Sequence, residues 1–256
     1  MDRRGAATRK KMVMFFLIDG SGSMDVGNKM GALNDSMRNA IEIAQDLDVN
    51  NTDVQIEVAL MLFGTGNDGM QCKWLYGEPE PVDRFEYVDQ VASGWTPMAK
   101  ALNMLNDAMS RTKFLDTPSG SVAPVVVVMS DGIPCTINGT EESDYSETYS
   151  AIAALNNNGW FVNAIKAAIA IGDDADRALL AKITGDSNTV FDVHDAGALK
   201  EVIKFIVVRS SVINTRMAGA SSQSSDPQKA FAEESKVEKE EIEEDDDFNS
   251  VGWVTQ

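Results

Sequence analysis

Phe15-Phe16-Leu17-Ile18-Asp19-Gly20-Ser21-Gly22-Ser23-Met24 joins an apolar run to a cluster of small oxygen-bearing side chains. The stretch from Met12 to Ile18 reads as a buried strand, so Asp19, Ser21 and Ser23 leave from its carboxyl end. One carboxylate and two hydroxyls then converge on one point. Hard oxygen donors of this kind suit Mg²⁺ or Mn²⁺, which take about six oxygens at roughly 2.1 Å and accept hydroxyls and water among them.

Two later segments supply further oxygens to the same edge of a parallel sheet. Gly94-Trp95-Thr96-Pro97-Met98 opens a helix with apolar periodicity, with Thr96 expected as its N-cap and Pro97 in its first turn. Ser130-Asp131-Gly132-Ile133-Pro134 follows Pro124-Val125-Val126-Val127-Val128-Met129, a β-branched run typical of a strand buried on both faces. Asp131 therefore leaves a core strand as Asp19 does. Two carboxylates against one divalent cation make a locally neutral site with an open coordination position, suited to an acidic side chain from a partner.

In order and approximate spacing, Asp19, Ser21, Ser23, Thr96 and Asp131 resemble the metal-ion-dependent adhesion site (MIDAS) of von Willebrand factor A (vWA) domains. The resemblance covers roughly residues 11–211. It implies that Ser21, Ser23 and Thr96 coordinate a divalent ion directly or through water, and that Asp19 and Asp131 complete the shell largely through water. The Asp-x-Ser-Gly-Ser-Met, Thr-Pro-Met and Ser-Asp-Gly-x-Pro forms look most like the bacterial TerY-like branch, associated with tellurium resistance and stress. Trp95 stands where that branch often has glycine. TerY-like proteins are commonly grouped with a protein kinase and a phosphatase, which implies a phosphorylation-linked regulatory complex.

The chain of 256 residues has room for one α/β domain of about 200 residues plus an appendage, and a core of that size needs no disulfide. Cys72 and Cys135 show no paired metal spacing and fit a reducing compartment. Arg3, Arg4, Arg9, Lys10 and Lys11 ahead of an apolar stretch imitate a signal peptide, but cleavage nearby would remove Asp19. No segment approaches the roughly 20 apolar residues of a membrane span. A cytoplasmic protein is expected. The formal net charge of −18 argues against nucleic acid and against anionic membranes as partners.

Short apolar runs alternate with longer periodic ones. This pattern predicts a doubly wound, mainly parallel α/β sheet of Rossmann-like type with one antiparallel edge strand. Strands are expected near 12–18, 54–63, 124–130, 161–171 and 189–193, with the edge strand near 72–76. Helices are expected near 29–47, 82–91, 97–112, 143–157, 175–184 and 196–213. The domain organisation reads as a basic segment over 1–10, a vWA-like domain over 11–213 and an acidic tail over 214–256. From Ala218 onward 11 acids face 3 lysines, and this charge with low hydropathy predicts disorder. Phe248 and Trp253, beside the acidic run, resemble anchors of a short motif that folds onto a partner.

Other motifs carry less. Gly64-Thr65-Gly66-Asn67-Asp68-Gly69 fits a dinucleotide-binding glycine pattern, but strand-like residues follow it and no helix amino terminus is there to hold a pyrophosphate. A hairpin connection is the better reading. His194, the single histidine, reads as a loop residue. Met24, Met30, Met37, Met98 and Met104 have helical spacing and read as core rather than as a soft-metal set. The functional expectation is a non-enzymatic adaptor whose Mg²⁺ or Mn²⁺ is completed by a partner's Asp or Glu. The alternative, a metal-dependent phosphatase or hydrolase using the same site, lacks a second acid or base: Ser21 stands where a haloacid-dehalogenase phosphatase needs a carboxylate.

Overall fold

The computed structural model describes residues 9–116, 120–219 and 226–249. β1 (Lys10–Asp19) is the centre of the sheet, because its side chains are apolar on both faces. Met12, Met14, Phe16 and Ile18 point into one core and Val13, Phe15 and Leu17 into the other. β1 pairs in parallel with β2 (Val54–Thr65) on one side and β5 (Val125–Ser130) on the other. β6 (Ile165–Ile171) and β7 (Val190–Val193) continue the parallel side. β3 (Gln71–Trp74) and the short β4 (Glu80–Pro81) both lie antiparallel on β2.

The order β3-β2-β1-β5-β6-β7 gives the doubly wound arrangement that the alternation of segments predicts. Helices cover both faces. α1 (Lys29–Val49) and α6 (Ala196–Gly219) pack over the even-numbered β1 residues. α2 (Met98–Ala108), α3 (Ser146–Leu155) and α5 (Arg177–Thr184) pack over the odd-numbered ones, and the one-turn α4 (Gly159–Val162) leads into β6. The chain leaves β1 toward β2 and later returns on its other side at β5. The carboxyl ends of β1 and β5 therefore form a topological switch point, where ligands of open α/β sheets sit.

Three expectations need correction. The helix placed near 82–91 is only a single 3₁₀ turn over Val82–Arg84, and the chain then runs extended. Asn34 on α1 explains why: its amide donates to Gln90 O at 3.0 Å and accepts from Gln90 N at 2.8 Å, imitating a neighbouring strand. Tertiary pairing overrides the local propensity. The strand placed over 161–171 begins only at Ile165, because Phe161 belongs to the α4 turn and is buried there.

The third concerns the acidic segment. Where a disordered tail is expected from residue 214, α6 runs on to Gly219 and α7 spans Pro227–Asn249. Asp226 starts α7, with its carboxylate accepting from Gln228 N at 2.9 Å and its carbonyl from Ala230 N at 3.1 Å. An aspartate ahead of a proline is a helix-start signal that the average composition conceals. Phe231 is fully buried against Phe205, ring centroids 5.8 Å apart, and Phe205 meets Phe191 edge-on at 5.7 Å. Gln228 uses its side-chain amide as a strand would: Oε1 accepts from Lys166 N at 2.6 Å and Nε2 donates to Lys166 O at 3.2 Å.

Phe231→Ala is therefore expected to cost about 3–5 kcal/mol, the usual range for a buried phenyl ring. A chain ending at Gly219 should lose stability as well. Urea denaturation measures both, and an unchanged midpoint in both would restore the reading of residues beyond 219 as a dispensable tail.

Candidate metal centre

Asp19 is the last residue of β1 and is fully buried. Both of its oxygens are held: Oδ1 accepts from Ser21 N at 2.9 Å and Oδ2 from the Ser130 hydroxyl at 2.5 Å. Burial pushes this carboxyl up to about 7; the Ser130 hydrogen bond opposes the rise and the charge of Asp131 adds to it. A cation beside this carboxyl would stabilise its ionised form.

Ser21 and Ser23 lie on the turn that follows, closed by a hydrogen bond from Met24 N to Ser21 O at 3.1 Å. Their hydroxyl oxygens are 2.9 Å apart. Ser23 donates to Asp131 Oδ1 at 2.7 Å, and Ser21 Oγ lies 3.5 Å from the same oxygen. Thr96 joins them at Gly132: a methyl group added to that glycine would sit 3.5 Å from Thr96 Oγ1 and 3.7 Å from Ser23 Oγ. Asp19, Ser21, Ser23, Thr96 and Asp131 thus meet at one edge of the sheet, as expected from their order in the chain. The donor set fits a hard divalent cation, with three hydroxyls and two carboxylates within reach of one another. Among the described residues no group of three or more His, Cys, Asp or Glu forms a metal cluster.

Thr96 is not the N-cap of α2. The helix begins at Met98, and the Thr96 carbonyl accepts from Met98 N at 2.8 Å and from Cys135 N at 2.9 Å, leaving the hydroxyl uncommitted to the helix. The loop is fixed by backbone instead. Ser93 N and Gly94 N donate to Gly20 O at 2.8 and 3.1 Å, Gly22 N donates to Gly94 O at 2.8 Å, and Trp95 N donates to Gly69 O at 2.9 Å. Gly64 makes this approach possible: it has φ +80°, and a Cβ there would fall 2.0 Å from Trp95 O. The 64–69 segment is the hairpin that the sequence suggests, and it also forms the wall against which the Thr96 loop rests.

Several contributors escape sequence reasoning. Gly64 is read there only as part of a hairpin connection, Gly94 only as the start of the Thr96 segment, Ser130 only as a neighbour of Asp131, and Lys29 only as the start of a helix. Lys29 Nζ lies 2.8 Å from Asp131 Oδ2, with both side chains buried. The site is consequently not the charge-neutral set expected from two carboxylates and one divalent ion; it holds a third charged group. Strand-end position was the available signal for Ser130 and Gly64. Nothing in the local sequence pointed Lys29 at residue 131.

The remaining candidates lie elsewhere. His194 is half-buried and 3.2 Å from Asp173. Cys72 and Cys135 are free, and burial pushes the Cys72 thiol up to about 11. Met24, Met30, Met37 and Met98 are buried and Met104 packs against the core, as their spacing predicts. Trp253 lies outside the described residues; Phe248 falls within α7, with its side chain outside them. Among the described residues no helix is long and apolar enough to cross a membrane.

Comparison with known proteins places this geometry in context. The family model for the von Willebrand factor type A domain matches residues 14–205. A von Willebrand factor type A structure from Catenulispora acidiphila superposes with TM-score 0.54 at 19% identity, covering 79% of this chain and 43% of that one. The pilus adhesin SpaC of Lactobacillus rhamnosus GG, in its open conformation, gives 0.58 at 17%, covering 80% and 30%. Proximal thread matrix protein 1 of the mussel byssus, in a form with a zinc-occupied MIDAS motif, gives 0.52 at 17%, covering 78% and 48%. The chain spans less than half the length of each of these three proteins. A comparison with curated protein sequences finds no match.

The brace between Gly64 and the Thr96 loop can be isolated with two alanines. Gly77 shares the left-handed conformation, φ +79°, but a Cβ there meets nothing within 4 Å. Gly64→Ala and Gly77→Ala both carry backbone strain of about 1–3 kcal/mol, and only the former adds the collision with Trp95 O. Urea midpoints are expected to fall further for Gly64→Ala. Equal losses would show that Gly64 does not set the position of the Thr96 loop.

Proposed function

The chain belongs to the von Willebrand factor type A domain family, and on that premise we propose that it is a metal-dependent protein-binding module. Its ion is Mg²⁺ or Mn²⁺, and its partner presents an Asp or Glu side chain. The observation that carries this reading is the convergence of Asp19, Ser21, Ser23, Thr96 and Asp131 at the β1–β5 switch point, with Asp19 fully buried and both its oxygens already engaged. Ser21, Ser23 and Thr96 would hold the ion, with Asp19 and Asp131 orienting the hydroxyls and balancing charge. A bound divalent ion supplies a Lewis-acidic position that an external carboxylate completes.

The surface beside the site offers a protein partner apolar contact. A groove of about 1060 Å³ adjoins Thr96, lined by Trp95, Pro97, Met70, Lys100, Cys135 and Ile137. Trp95 is 52% and Ile137 76% exposed. Exposed large apolar side chains grouped on one surface mark a site of contact with another protein. Trp95, where the TerY-like branch often has glycine, gives this groove its aromatic wall.

Binding rather than turnover is favoured by the commitments of the polar groups. Asp131 Oδ1 faces the serines, Asp131 Oδ2 faces Lys29, and the hydroxyls of Ser21 and Ser23 face each other. None of these is poised as a general acid or base toward an incoming water. The TerY-like assignment, a phosphorylation-linked complex with a kinase or phosphatase, and a cytoplasmic setting complete the proposal.

Metal should stabilise the fold. At a hundredfold excess over its dissociation constant, Mg²⁺ or Mn²⁺ is expected to add about 2.7 kcal/mol to the wild type and nothing measurable to Asp19→Asn or Thr96→Val. Scanning calorimetry with and without EDTA reads this out, and equal stabilisation of all three proteins would sink the site assignment.

Partner capture from native lysate is expected in Mg²⁺ and lost both in EDTA and in Asp19→Asn. Metal-dependent release of phosphate from a generic phosphoester, abolished in Asp19→Ala, would overturn the binding reading in favour of hydrolysis.

A further inference from the structure

We infer that Lys29 is a built-in counter-ion of the metal centre, one that limits metal affinity and leaves the loaded site positively charged toward a carboxylate. The inference rests on the metal-binding reading above and adds the residue that makes such a site selective for acidic partners.

The position of Lys29 is unusual in three respects. It is buried although it is a lysine, and its ammonium contacts a carboxylate that is itself inaccessible to water. It is the first residue of α1, the end of a helix where a cation is disfavoured by the macrodipole. It is delivered by two successive left-handed residues, Gly27 at φ +65° and Asn28 at φ +59°, the second a conformation that costs a non-glycine residue free energy. A lysine placed against helix electrostatics, out of water and at the end of a strained turn needs a local reason. Asp131 Oδ2, 2.8 Å away, is that reason.

The two oxygens of Asp131 are divided between different tasks. Oδ1 accepts from Ser23 at 2.7 Å and lies 3.5 Å from Ser21 Oγ, so it faces the donor set. Oδ2 faces the ammonium. Asp131 is therefore held in its orientation from behind by Lys29, whether or not an ion is present in front. Asp19, Asp131 and Lys29 together carry one net negative charge, so a divalent ion brings the site to one positive. A carboxylate then restores neutrality, whereas water or a neutral amide does not. Without Lys29 the loaded site would be neutral and a carboxylate would gain far less.

The test is Mn²⁺ binding to the purified full chain, followed by electron paramagnetic resonance, for wild type, Lys29→Met, Lys29→Gln and Lys29→Arg. Removing a positive charge a few ångströms from a divalent ion should tighten Mn²⁺ binding about tenfold or more in Lys29→Met and Lys29→Gln, with Lys29→Arg close to wild type. Acetate added to the Mn²⁺-loaded proteins should perturb the signal at lower concentration in wild type than in the two uncharged variants. Lys29→Gln retains a hydrogen-bond donor to Asp131 and decides the question if Lys29→Met fails to fold. Wild type that binds Mn²⁺ beside uncharged variants that bind it equally or more weakly would reduce Lys29 to a structural ion pair and overturn the inference. Wild type that binds no Mn²⁺ would overturn the metal reading itself, and this inference with it.

Discussion

The parallel pairing of β1 with β5, in register from Met14 and Val125 to Ile18 and Met129, brings two aspartates to the same edge of the sheet. Asp19 and Asp131 follow directly from those strands, and both are completely buried. Like charges held side by side out of water repel one another strongly. The local architecture answers that repulsion. The Ser130 hydroxyl and the Ser21 amide stabilise one carboxylate, while the Ser23 hydroxyl and the Lys29 ammonium stabilise the other. A divalent ion at the same edge is the remaining compensation that the geometry invites.

The loops around this edge are set by backbone rather than by side chains. Gly20, Gly22, Gly69 and Gly94 exchange main-chain hydrogen bonds across three separate segments, and Gly64 allows them to close to contact distance. The Thr96 side chain at the candidate site is thereby relieved of structural duty, because the residue's carbonyl, and not its Oγ1, ties the loop to α2 and to Cys135. Main chain fixes the loops, and hydrogen bonds among Asp19, Ser21, Ser23, Ser130 and Asp131 orient the oxygens above it.

Much of this was legible in the residues. The apolar run before Asp19 and the valines before Asp131 indicated the winding of the sheet, and the order of Asp19, Ser21, Ser23, Thr96 and Asp131 indicated that they converge at one of its edges. The methionines and the glycine-rich hairpin also behaved as their periodicity and surroundings indicated. What escaped was interaction at long range. Asn34 straightens the Gln90 segment across 56 residues, and Lys29 reaches Asp131 across 102. Neither partner carries a local mark of the other. The acidic carboxyl-terminal segment misled for a different reason: an average over many glutamates concealed an Asp-Pro helix start and a buried Phe231 that packs α7 against the core.

That helix has a further consequence. β7 pairs with β6 only from Ala168 onward, which leaves the Lys166 backbone at the open margin of the sheet. An open margin of paired-strand geometry is a template for adding a strand from another molecule. Gln228 closes it by lending a side-chain amide in place of a strand, and the sequence that follows along α7 is rich in glutamate. The acidic helix therefore also caps a stretch of open strand, denying it to a strand from another molecule.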